Sequence, residues 1–266
     1  MNKGEAQLIN EKIVVPDELP RVSRSRLLRL LEKNLASYNA TIINGRAGTG
    51  KTTLAADFAC NAGRRVSWYK VDAADSDPRA FYEYLLASVK LQRPLINQSG
   101  LLHLAETLKR DETPLLAEAI VFQLSEGGAE PLLIVLEDLH LIYDADWLVP
   151  FFRRLLPLLP ADVHLLITCR SLPPAPLWRL RSKQMLRVVD EGELAFTFDE
   201  AVALFKTYGL TEEHARAALR RTKGRAATIA SFAATPGCAG RAVADSLLAM
   251  TPSRLKTMIP IQDCRS

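Results

Sequence analysis

Residues 44–53 read NGRAGTGKTT, and no other stretch restricts the fold of this chain as strongly. A short apolar run, ATII at 40–43, leads in, and a helix-like run, LAADFACNAG at 54–63, leads out. Gly45-Arg46-Ala47-Gly48-Thr49-Gly50-Lys51-Thr52 fits G-x-x-x-x-G-K-[ST] between a strand and a helix. Each position has a physical purpose. Glycines let the backbone turn so that successive N–H groups converge on a phosphate. The helix that begins near Lys51 adds the positive end of its dipole. Lys51 reaches the β- and γ-phosphates, and the Thr52 hydroxyl ligates Mg²⁺. The expected ligand is therefore a nucleotide. No N-K-x-D guanine motif follows the loop, which favours adenine.

A strand–loop–helix unit of this kind needs parallel neighbours. The sequence supplies candidates at 66–72 (VSWYKVD), 131–140 (PLLIVLEDLH), 163–171 (VHLLITCRS) and 185–189 (MLRVV). The third and fourth of these five strands, counting the one before the loop, are continuous apolar runs, as expected of parallel strands buried on both faces. Helical spacing at 23–38 places Leu27, Leu28, Leu31 and Leu35 on one face, with Ser23 or Ser25 as its cap. A helix over 51–62 stops at Gly63, and one over 77–89 starts with Asp77 as cap and Pro78 in the first turn. Residues 91–130 read as helical pieces, 147–159 as a helix interrupted near Pro150, and 171–184 as a Pro-rich connection. Strands alternating with helices predict a parallel sheet covered on both faces. From Phe198 onward only short helices are expected, at 198–209, 211–224 and 226–237.

Two strand ends carry further chemistry. LLIVLED ends in Glu137 and Asp138, and two adjacent acids closing an apolar strand are costly without a cation or donors nearby. The first acid fits the Mg²⁺ shell, and the second can polarise an attacking water. LLITCR ends with Thr168, Cys169 and Arg170, and strand carboxyl ends line the ligand crevice of an open sheet. Arg170 is thereby a candidate γ-phosphate sensor.

Other function classes are disfavoured. Cys60, Cys169, Cys238 and Cys264 form no CxxC pair, and the four histidines are scattered, so neither a metal cluster nor a disulfide framework is expected. The longest apolar stretches fall well short of the roughly 20 residues that span a bilayer, and residues 1–15 lack the apolar core of a secretion signal. A cytoplasmic protein without membrane contact is expected. Residues 1–150 carry 17 Lys/Arg against 20 Asp/Glu, whereas 151–266 carry 17 against 10, but the excess is spread along predicted helices and reads as solvated faces rather than a nucleic-acid footprint. LSEGG at 124–128 imitates a transporter-ATPase signature, but it lies too close to the acidic strand to be followed by a helix, and reads as a loop.

Five segments together resemble the ATPase domain of the MalT-type, LuxR-family bacterial transcriptional regulators, which belong to the signal-transduction ATPases with numerous domains (the STAND class). They are VSRSRLL (22–28), GRAGTGKTT (45–53), VSWYKVDAADSDPRAFYEYLLASV (66–89), LIVLEDLHLI (133–142) and the stretch 163–205. The resemblance covers roughly residues 20–210. It implies a nucleotide-dependent switch that rests with ADP, is active with ATP and then self-associates. It implies that Gly45, Arg46, Ala47, Gly48, Thr49, Gly50, Lys51, Thr52 and Thr53 hold the phosphates, and that the backbone at Val22 and Arg24 borders the adenine. Thr52 and Glu137 would hold Mg²⁺, Glu137 directly or through water. Lys51, Glu137, Asp138 and Arg170 would form the catalytic group, and the helices after Phe198 would close over the nucleotide. Three features depart from the family. Glu137 stands where Asp is usual, and Gly224-Arg225-Ala226-Ala227 replaces a Gly-Trp or Gly-Leu-Pro turn. The helical-repeat sensor and the DNA-binding helix-turn-helix fall outside these 266 residues, so a fragment of a larger regulator or a stand-alone module is expected.

The expected architecture is α/β: a three-layer P-loop NTPase domain, AAA/STAND-like, with a five-stranded parallel sheet over 21–197. A tail over 1–20 precedes it, and a small helical domain over 198–266 follows. The expected activity is ATP binding with slow hydrolysis in transcription regulation. An AAA-like motor and an ADP-holding module without hydrolysis are the alternatives.

Overall fold

The computed structural model describes residues 10–235, apart from Glu18, Arg110, Asp111, Gly127 and Ala129. Cys238, Cys264, residues 1–9 of the expected tail, part of the 124–128 loop and the 236–266 part of the expected helical domain lie outside the described residues. The chain divides into two compact units, one ending at Leu194 and one beginning at Ala195.

The first unit is built on strands β1 (Ala40–Asn44), β2 (Arg65–Lys70), β3 (Leu132–Glu137), β4 (Val163–Cys169) and β5 (Leu186–Val189). They form one sheet in the order β2-β3-β4-β1-β5, and every pairing is parallel. Side chains alternate across a strand, and the alternation separates two cores. Ala40, Ile42, Ile134, Leu136, Leu165 and Ile167 join one core, and Ile43, Leu133, Val135, Leu166 and Val189 join the other. The first core is covered by α3 (Pro78–Gln92), α4 (Gln98–Thr107), α5 (Thr113–Glu126) and α6 (Leu148–Leu158). The second is covered by α1 (Ser25–Ser37) and α2 (Lys51–Asn61). The result is the expected three-layer α/β sandwich. β1, which carries the loop, has neighbours on both sides, so the strand under the site is held from two directions.

Local sequence explains most boundaries. Asp77 caps α3 by accepting from the Arg79 amide, with Pro78 at the first helical position. Gly63, at φ +59°, follows the α2 C-cap, Ala62. Two expectations are corrected. α1 has Arg24 at its N-cap and no side-chain cap, because the Ser23 hydroxyl donates instead to Asp57 Oδ1 at 3.0 Å. Pro150 does not interrupt α6: it falls in the first turn, where the missing N–H would have had no intrahelical partner. The connection expected over 171–184 folds into α7 (Ala175–Trp178) and a 3₁₀ turn, Arg179–Arg181. A further short helix, α8 (Glu191–Leu194), follows β5.

The second unit contains α9 (Phe198–Lys206), α10 (Glu212–Thr222) and α11 (Ala226–Ala234). A reciprocal capping box between Thr197 and Glu200 starts α9. Lys223 and Gly224 turn the chain after α10 with φ of +52° and +81°. A side chain at Gly224 would also meet the Phe196 backbone at 2.9 Å, so two constraints select glycine here. Among the described residues, no helix is long and apolar enough to cross a membrane.

Candidate functional site

The carboxyl ends of β1, β3 and β4 bring the predicted residues together. The chain leaves β1 at Asn44 and makes the glycine loop before entering α2 at Lys51. The three loop glycines are needed for different reasons. Gly48 and Gly50 have φ of +77° and +82°, in the left-handed region. Gly45 is needed for space: a Cβ there would lie 2.8 Å from Thr49 Oγ1 and 3.3 Å from Leu194 Cδ1. Thr49 Oγ1 donates to the Arg46 carbonyl at 2.9 Å, and Lys51 Nζ donates to the same oxygen at 3.1 Å. Gly50, the N-cap of α2, offers no side-chain acceptor, so the first-turn amides of an 11-residue helix face the loop with the helix dipole behind them.

Lys51 is buried, and burial holds its pKa below the ordinary lysine value. The Arg170 charge pushes the same way, and Asp138 opposes both. A buried ammonium among loop carbonyls fits a phosphate ligand, which would compensate its desolvation.

The two acids are not equivalent. Glu137 is the last residue of β3 and is buried, and its Oε1 accepts from the Thr52 hydroxyl at 2.5 Å. Asp138 lies beyond the strand, with φ +57°, at the head of a 3₁₀ turn, Leu139–Ile142. Its amide donates to Thr168 Oγ1 at 3.0 Å. Its Oδ1 lies 3.8 Å from Arg170 Nε and 3.7 Å from His140 Nδ1. Burial, with Arg170 and Lys51, lowers the His140 pKa against the pull of Asp138, so the ring is neutral at pH 7. Arg170 follows directly after β4 and is half exposed.

No group of three or more His, Cys, Asp or Glu among the described residues can cage a metal ion. The Thr52–Glu137 pair suits Mg²⁺, which takes few protein ligands and relies on phosphate oxygens and waters.

The remaining predicted residues are placed as follows. Ala47 and Thr53 are exposed, and Val22 is half-buried. The Arg24 side chain is a structural tie: it donates to the Leu194 carbonyl at 2.7 Å and to the Gly50 carbonyl at 3.5 Å. Arg46 is engaged by a residue that sequence reasoning missed. Glu191 accepts from the Arg46 amide and guanidinium at 2.7–3.3 Å. His140 was missed too, and Thr168 was read as a strand-end residue without a role. The only available signal was position, since all three lie at or just after a strand's carboxyl end.

No family model matches the chain. Among curated proteins, it is similar to the HTH-type transcriptional regulator MalT of Serratia proteamaculans, with 34% identity over 203 residues, covering 74% of this chain and 22% of that protein. It is likewise similar to MalT of Yersinia enterocolitica, with 33% identity over 202 residues, again 74% and 22%. The chain thus spans about 22% of the length of these relatives. Among solved structures, a Walker-type ATPase of Pyrococcus abyssi superposes with a TM-score of 0.54 at 15% identity, covering 88% of this chain and 72% of that one, a likeness of fold.

Proposed function

From a P-loop ATPase-fold domain that resembles part of the MalT-type regulators, we infer that this chain binds ATP and ADP at the 45–53 loop and acts as the nucleotide switch of a transcriptional regulator. The observation that carries the reading is the Thr52–Glu137 hydrogen bond of 2.5 Å beside the buried Lys51. It sets a hydroxyl, a carboxylate and an ammonium at the start of one helix.

The loop amides and Lys51 bind the β- and γ-phosphates, with the α2 dipole reinforcing them. Thr52 and Glu137 hold Mg²⁺, which when bound spreads phosphate charge. Asp138 orients a water toward the γ-phosphate, and Arg170 reads that phosphate. The backbone at Val22 and Arg24 borders the adenine. Hydrolysis is slow, and the ATP form self-associates. The sensor and DNA-binding regions belong to parts of the relatives' length that this chain does not span, and the setting is the cytoplasm. The Asp138–Arg170 approach of 3.8 Å favours a second reading, in which ADP is held without turnover because the water-orienting carboxylate is engaged.

Lys51→Ala tests the site. Saturating ATP with Mg²⁺ raises the melting temperature of the parent protein, since ligand at about a hundred times Kd adds roughly 2.7 kcal/mol. The variant should show no such shift. An equal shift in both proteins would remove Lys51 from the phosphate site.

A further inference from the structure

One contact at the loop has no part in the nucleotide chemistry above. Glu191 opens α8, directly after β5 and shortly before the second unit begins. Its carboxylate takes three kinds of donor from Arg46. Nε lies 3.1 Å from both oxygens, one terminal nitrogen lies 2.7 Å from Oε1, and the backbone amide lies 3.3 Å from Oε2. The same turn touches the other end of the loop. Arg24 bridges the Leu194 and Gly50 carbonyls, and Leu194 Cδ1 would lie only 3.3 Å from a Cβ at Gly45. The 191–194 turn therefore grips the phosphate loop at its beginning and its end.

We propose that Glu191 is a charge brake on the phosphate loop: seated on the Arg46 amide and guanidinium, it brings to the loop the same sign of charge as a nucleotide phosphate and so sets nucleotide affinity. The proposal rests on the reading of the loop as a phosphate site. As a source of stability the contact is minor, because Arg46 is 76% exposed and an ion pair in water contributes little. The Glu191 charge reaches Lys51 only weakly, where it favours the ammonium, so its weight falls on the Arg46 cation that it contacts. While Glu191 is seated, an incoming polyphosphate meets a loop whose Arg46 cation is already neutralised. When the 191–194 turn shifts, that cation is released to the phosphates. ATP, with one more negative charge than ADP, is penalised more. The turn directly precedes the second unit in the chain, and a shift of the 191–194 segment would change affinity through the Glu191–Arg46 contact.

The test is a titration of the purified chain with ADP and with ATP by calorimetry at low and high salt. Glu191→Gln keeps an acceptor for the Arg46 amide but loses the charge. It should tighten ADP about threefold and ATP more, a size set by one unit charge in a high dielectric, and the gain should disappear near 1 M salt, where the Debye length is about 3 Å. Arg46→Ala should weaken both nucleotides, and adding Glu191→Gln to it should recover less than the sum of the two single effects, the signature of a direct pair. Unchanged or weaker ADP binding in Glu191→Gln would overturn the brake, as would a gain that survives high salt or strict additivity in the cycle. If the parent protein binds neither nucleotide, the phosphate-site reading itself fails, and this proposal with it.

Discussion

Replacing His164 by glutamine should remove a pH-dependent loss of stability that the buried imidazole imposes. His164 sits in β4, 2% exposed, with Nδ1 2.9 Å from the Tyr38 carbonyl and Nε2 3.1 Å from Thr41 Oγ1. A neutral ring with its proton on Nδ1 satisfies both contacts, donating to the carbonyl and accepting from the hydroxyl. Burial lowers its pKa from the ordinary histidine value of 6.5 to about 4, and the nearby Arg64 charge acts in the same direction. The unfolded chain therefore takes up this proton as the pH falls below 6.5, while the folded chain resists until near 4. Stability from this group is complete above the unfolded value, declines between the two, and is flat below the folded one. The loss amounts to about 2 kcal/mol near pH 5 and about 3 kcal/mol near pH 4. Glutamine keeps a donor and an acceptor at the site but does not titrate. Urea unfolding of both proteins at about pH 7.5 and about pH 5 isolates the effect, because every other titrating group cancels in the difference. The parent protein should lose about 2 kcal/mol more than the variant over that interval. A difference that stays constant would show that the ring is protonated in place, and would refute the assignment of a neutral imidazole under the sheet.

Two further substitutions probe the site. Gly45→Ala introduces a methyl 2.8 Å from Thr49 Oγ1 and should distort the loop at an overpacking cost of about 1–3 kcal/mol, weakening ADP roughly 5- to 150-fold by calorimetry; parent-like affinity would show that Thr49 gives way freely. Asp138→Asn should leave ATP affinity intact and lower single-turnover phosphate release by about a hundredfold, whereas equal release in both forms would take Asp138 out of the water-orienting role.

The loop was legible because its residue types are dictated by geometry that few other sequences meet. Gly48 and Gly50 had to be glycine for φ, and strand and helix signals flanked them on the correct sides. The five strands were legible for a similar reason: apolar runs of strand length between helical patterns leave little choice in a chain of this size. What the sequence did not show was how two adjacent acids, read as a Mg²⁺ ligand and a water-polarising group, are parted. The two are adjacent letters, but a left-handed backbone at Asp138 ends the strand between them and sends one carboxylate to Thr52 and the other toward Arg170. Glu191 was hidden for another reason. Its partner lies 145 positions away in the chain, and an exposed acid after a strand resembles any solvated turn. Pro150 was misread because proline breaks a helix in its interior but is tolerated in its first turn, and the sequence alone left that boundary uncertain by a few residues.

The order of the strands bears on how the protein is made. Among the described residues β1 is the first strand in chain order, yet it pairs with β4 and β5, whose residues lie more than a hundred positions downstream. Closing such long segments is slow, and the contacts that reward it come late. During translation the phosphate loop therefore leaves the ribosome well before the walls that shape it, attached to a strand with both edges open. A chain interrupted before residue 186 carries every letter of the glycine motif but lacks β5 and the Glu191–Leu194 turn. On the proposed reading, a nucleotide would stabilise the protein after the last strand has docked rather than guide its assembly.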